Sequence, residues 1–185
     1  MANYRFTKGN TIQYVDADNK DKARKQFCKD QGWKVEKSEK PVLDESIYYQ
    51  RSSRYDGWKI GNSSTSMQTY GCALMVWSYV AGLDPKEVDK LFVNKKVYNE
   101  NGQGDSIIFS KACSVLGFKN YEKSKDINRM PKQEMTIKEV WLGWSKHFVI
   151  RFNKNNKRDI FDPWTGKHQN INHYKFVSYR IFDKK

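Results

Sequence analysis

A thiol at Cys72, an imidazole at His147 and a carboxylate at Asp162 supply the side-chain types that together perform nucleophilic acyl transfer. That chemistry needs a nucleophile beside a base, and a third group that fixes the base's tautomer and stabilises its charged form. Cys72 follows Gly71 at the mouth of an apolar run. If the run is helical, its unpaired N–H groups and the positive end of its macrodipole favour an anion there. A cysteine among apolar residues is, alone, more often a small buried hydrophobe, so the reading depends on a base. His147 opens an alternating segment in which Phe148, Ile150 and Phe152 share one face while His147, Val149 and Arg151 share the other. The next segment ends at Asp162, across the turn Asn153-Lys154-Asn155-Asn156-Lys157. With Lys154-Asn155 as a two-residue hairpin loop, His147 stands directly opposite Asp162, Cβ atoms about 5 Å apart. A slipped register puts Trp164 opposite His147 and leaves Asp162 near it on the diagonal.

Several elements must position these groups. Residues 71–81 are apolar almost all round, which predicts a buried helix closed by Gly82. Asp84-Pro85-Lys86-Glu87 reads as N-cap, first helical position and capping-box acid of a second helix running to about Val93. A third helix is expected over 106–116, ending at Gly117. Residues 135–142, 147–152, 158–161 and 176–182 alternate or carry β-branched and aromatic residues, and so predict antiparallel strands. Residues 47–66, rich in Ser and Gly, read as loop. Helices grouped ahead of strands indicate an α+β domain and disfavour a doubly wound sheet. Upstream, Tyr4 and Phe6, then Ile12 and Tyr14, predict two strands around Lys8-Gly9-Asn10. Residues 18–32 read as a helix and Trp33-Lys34-Val35 as a returning strand, a small N-terminal β-β-α-β unit over 1–40. A linker is expected over 36–45.

The segments Tyr70-Gly71-Cys72-Ala73-Leu74, Gly82-Leu83-Asp84-Pro85-Lys86-Glu87-Val88, His147-Phe148-Val149 and Phe161-Asp162-Pro163-Trp164-Thr165-Gly166 resemble successive motifs of papain-like cysteine peptidases. The similarity is to the branch that contains the double-glycine leader peptidases of bacteriocin exporters, and it spans about residues 60–170. The resemblance implies a two-lobed domain over 47–185, a helical lobe followed by an antiparallel sheet. It further implies Cys72 as nucleophile, His147 as general base and Asp162 as orienting acid. Domains of this kind also occur in bacterial and bacteriophage proteins, so the expected location is the cytoplasm of a bacterial host or a virion. One departure stands out: the family's oxyanion-hole Gln lies about six residues before the Cys, where this chain has Ser66. Gln68 is the nearest amide, with the Cys72 backbone N–H as second donor; loss of such a donor typically costs 10²–10³ in rate.

Composition limits the alternatives. The chain has 185 residues, 38% hydrophobic and 15% aromatic, enough to bury a core without metal or disulfide. Its three cysteines, Cys28, Cys72 and Cys113, lack paired spacing, and its three histidines are scattered, so no metal and no cofactor is expected. No apolar run approaches a membrane span, and the first residues lack a secretory signal's apolar core, which predicts a cytosolic protein. A phosphate-binding Gly-rich loop with Lys-Ser/Thr is absent, so peptide export lacks support. The net charge is +13, and residues 119–185, with 16 basic and 7 acidic side chains, carry +9 of it. That C-terminal third would attract a polyanion. Two functions follow: a cysteine peptidase or amidase acting on a peptide or protein through a thioester, or an inactive papain-like scaffold serving as a binding or structural protein, for example in a phage particle.

Overall fold

In the computed structural model, the apolar run after Gly71 becomes the helix around which the larger part of the chain is built. The structure describes residues 2–8, 11–17, 34–37, 44–99, 106–129, 131–153, 159–170 and 174–183. The chain divides into two compact units, Met1–Asp44 and Glu45–Lys185, and the division falls within the stretch read as linker. In the first unit β1 (Ala2–Lys8), β2 (Thr11–Ala17) and β3 (Lys34–Lys37) form an antiparallel sheet in the order β2-β1-β3. The helix expected over 18–32 lies outside the described residues.

The second unit is α+β, with helices and a six-stranded antiparallel sheet. A single turn, α1 (Met67–Tyr70), leads through Gly71 into α2 (Cys72–Ala81), whose residues 73–80 are all buried. Gly82 closes α2 at φ 68°, with Leu83 N–H returning to Ser78 O at 3.0 Å. Helix α3 (Pro85–Asn94) starts as its sequence indicates, Asp84 Oδ1 accepting from Lys86 N–H at 2.8 Å. Helix α4 (Phe109–Val115) starts three residues later than expected. The preceding backbone pairs instead with residues 97–99, through Ile108 N–H to Val97 O and Asn99 N–H to Ser106 O, both 2.9 Å.

The sheet order is β4-β9-β5-β6-β7-β8, built from β4 (Lys119–Ser124), β5 (Met135–Trp141), β6 (Lys146–Phe152), β7 (Asp159–Asp162), β8 (Lys167–Asn170) and β9 (Lys175–Asp183). Four of these were expected; β4 and β8, the two edges, were not, being polar throughout. Helix α2 docks on the sheet through aromatic rings: Trp77 meets Phe182 at 5.1 Å and Tyr79 meets Phe161 at 4.8 Å between centroids. Arg180, buried on the same side, pairs with Glu139 at 2.9 Å and lies over Phe109 of α4 at 5.0 Å. Residues 47–66 are irregular, as expected of a loop, but partly buried. They hold two short 3-10 turns, and Tyr48, Gln50, Tyr55 and Ile60 are buried, the Tyr55 hydroxyl donating to Ile47 O.

Candidate active site

The three sequence-selected groups are brought together by α2, β6 and the end of β7. Cys72 is the first residue of α2, partly exposed, and its backbone N–H is one that the helix itself does not use. Its position depends on Gly71, where an added Cβ would lie 2.4 Å from Met67 O and 2.3 Å from Met67 Sδ. Only glycine permits that approach between α1 and the start of α2.

His147 lies near the start of β6. Ile150 pairs with Phe161 and Arg151 with Ile160, which is the slipped register: Trp164, past the end of β7, falls level with His147, and Asp162 on the diagonal. Direct opposition is thereby corrected, and the loop residues 154–158 lie outside the described residues. The diagonal still suffices, since His147 Nε2–H donates to Asp162 Oδ1 at 2.6 Å with both side chains buried. The other ring nitrogen, Nδ1, is not engaged by Asp162, and Cys72 lies near enough to the ring to favour its charged form. Burial of the ring disfavours its charge, but the hydrogen bonds and charges of Asp162 and Cys72 outweigh that and hold the imidazolium up to about 9. Burial would likewise neutralise Asp162. Hydrogen bonds from His147, Tyr174 and the Trp164 N–H, with the imidazolium charge, prevail and keep the carboxyl below the usual carboxylate range.

Asp162 is held on all sides. Oδ1 also accepts from Trp164 N–H at 2.8 Å, and Oδ2 accepts from the Tyr174 hydroxyl and from Gln169 Nε2 at 3.4 Å. Its carbonyl accepts Gly166 N–H at 2.8 Å, closing a tight turn in which Gly166 has φ 66° and no room for a Cβ, Tyr49 being 2.9 Å away. Sequence reading missed Tyr174, Gln169 and Gln50. Gln50 is fully buried and braces the site from behind, its N–H donating to Pro163 O at 2.9 Å and its Nε2 to Gln68 O at 3.1 Å.

Gln68 stands on α1, but its amide is turned away from the role expected of it. Nε2 donates to Asp56 Oδ1 at 2.7 Å and to Ser52 O at 3.3 Å, which uses both its hydrogens. Among the described residues no group of three His, Cys, Asp or Glu side chains forms a metal site, and no helix is long and apolar enough to cross a membrane. A cavity of about 460 Å³ lined by Phe92, Lys96, Tyr98 and Lys111 shares no residue with Cys72, His147 or Asp162.

Comparison with family models, with curated proteins and with solved structures finds no match to this chain.

Proposed function

We propose that the second unit is a papain-like cysteine peptidase or amidase. The observation that carries this reading is the buried 2.6 Å hydrogen bond from the His147 ring to the Asp162 carboxylate, with Cys72 at a helix start, partly exposed, and near enough to the ring to favour its charged form. In the reaction, thiolate sulfur attacks the substrate carbonyl carbon, and the oxygen takes negative charge beside the Cys72 N–H. The tetrahedral adduct collapses as the C–N bond breaks and His147 gives its proton to the leaving amine, leaving a thioester on Cys72. His147, now neutral, takes a proton from water as the water attacks the thioester carbon. Acid is released and the thiolate–imidazolium pair returns. Asp162 holds the ring with Nε2–H toward itself, so that Nδ1 serves the sulfur and the substrate.

The test is cleavage of a mixed peptide library, read by mass spectrometry, for the wild type and Cys72→Ala. Cleavage by the wild type and none by Cys72→Ala supports the hydrolase; cleavage undiminished in Cys72→Ala removes Cys72 as nucleophile.

A second reading, a papain-like scaffold used for binding or structure, is favoured by the engagement of the Gln68 amide with Asp56 and Ser52, which leaves the oxyanion with one donor. Its basic C-terminal third would then dock a polyanion such as nucleic acid or teichoic acid. Salt-sensitive binding to duplex DNA or teichoic acid that is unchanged in Cys72→Ala, with no cleavage by the wild type, is what this reading requires.

A further inference from the structure

Asp162 is fully buried, and a carboxylate there can rotate about its Cα–Cβ and Cβ–Cγ bonds unless both oxygens are engaged. Oδ1 faces His147 and the Trp164 N–H. What holds Oδ2 is a pair of side chains from beyond the motif: the Tyr174 hydroxyl, just ahead of β9, and Gln169 Nε2 on β8. We infer that Tyr174 and Gln169 are positioning residues for the candidate triad, a clamp on Oδ2 that keeps Oδ1 aimed at the His147 ring. This deepens the peptidase reading and rests on it for its catalytic consequence.

The placement of the two residues is not incidental to packing. Gln169 is the register partner of Ile160, so it shares the sheet face of Ile160 and Asp162 and reaches the carboxylate along its own strand pair. It is itself oriented by Thr165 Oγ1 at 2.7 Å, and Thr165 sits in the Asp162–Gly166 turn. The Tyr174 ring packs against the buried cluster Val140, Val149 and Ile160 and stands edge-on to the His147 ring, 6.4 Å between centroids. Its body is therefore fixed by apolar contacts and its hydroxyl delivered to Oδ2, where it donates because an ionised carboxylate only accepts. Together the four donors occupy the lone-pair positions of Asp162, and among the described residues His147 is its ionic partner. Among the described residues, Arg151 shares the β6 face of His147, and Lys167 is the exposed register partner of Asp162.

Tyr174→Phe is the decisive variant, because it keeps the ring in its apolar seat and deletes only the hydroxyl. Two readings are taken: kcat and KM on a peptide cleaved by the wild type, and the titration of the His147 ring by NMR, which needs no turnover. Loss of the clamp frees the carboxylate to rotate, so kcat falls about 10- to 100-fold at unchanged KM, as misplacement of a reacting group does. The His147 midpoint moves down from its wild-type value toward that of a free histidine. Gln169→Ala, removing the longer bond, moves both readings the same way by less. Wild-type kcat and an unmoved His147 midpoint in both variants, while His147→Ala is inactive, overturn the clamp and leave the triad standing. A lowered His147 midpoint in Tyr174→Phe, in a protein that cleaves nothing even as wild type, upholds the clamp and removes the peptidase.

Discussion

His147 and Asp162 meet across a diagonal of the β6–β7 ladder, with the carboxylate two residue pairs from the level of the ring, and the 2.6 Å bond between them is buried on both sides. A buried carboxylate bonded to an imidazolium serves as orienter and counter-charge at once. Removing it leaves a buried ring without compensation. Asp162→Ala is expected to destabilise the second unit by about 3–5 kcal/mol, measured by urea unfolding, since a buried pair that loses one partner keeps an unpaired charge.

The direction of the His147 shift sets the pH behaviour. The ring goes from 6.5 to about 9 on folding, so its contribution to stability is complete below about pH 6.5 and is lost as pH rises through about 9. Asp162, held below its usual 3.8, contributes above that pH and loses its effect as pH falls through its lowered value. The resistance of the wild type to thermal unfolding should therefore fall between pH 6.5 and 9, and His147→Gln should lack that alkaline decline. Turnover should fall along a basic limb near pH 9, where the proton for the leaving amine is lost.

The Gln68 amide gives a sharper expectation. With both hydrogens on Asp56 and Ser52, it does not serve the oxyanion, so Gln68→Ala should lower kcat less than about tenfold, against the 10²–10³ that removal of a true oxyanion donor costs. A loss in that larger range would show that the amide turns inward on substrate binding.

Gly71 and Cys72 are inseparable. Gly71→Ala drives a methyl into Met67 O and Sδ, and the backbone must shift at the residue preceding Cys72, the proposed nucleophile. The expected outcome is a loss of about 1–3 kcal/mol in stability together with loss of turnover, checked by denaturation and by cleavage of the same peptide.

Much of the site's scaffold was readable because it obeys local rules. The apolar run 73–80 with Gly82, the Asp84-Pro85 N-cap and the alternation of β5 and β6 each carry their signal within a few residues. The place of Cys72 followed from a helix start and the meeting of His147 with Asp162 from a strand register, the diagonal being within reach of the register argument even though direct opposition was not correct. Edge strands β4 and β8 were invisible because their sequences, KNYEKS and KHQN, have no apolar face to alternate. Tyr174, Gln169 and Gln50 were equally illegible: their partners lie at irregular separations along the chain, from Thr165 beside Gln169 to Pro163 far from Gln50, and no periodicity encodes a hydroxyl or amide aimed at a particular oxygen. The late start of α4 has the same origin, a backbone pairing with residues 97–99 that local helix signals do not register.

The most direct test of the account is covalent trapping. A peptidyl acyloxymethyl ketone, which alkylates a thiolate held beside an imidazolium, is incubated with the wild type, His147→Ala and Asp162→Asn, and the modified residue is mapped by tryptic mass spectrometry. The account predicts a single adduct on Cys72, formed far more slowly in Asp162→Asn and absent in His147→Ala. Labelling confined to Cys28 or Cys113, or equal labelling of Cys72 with and without His147, would contradict it.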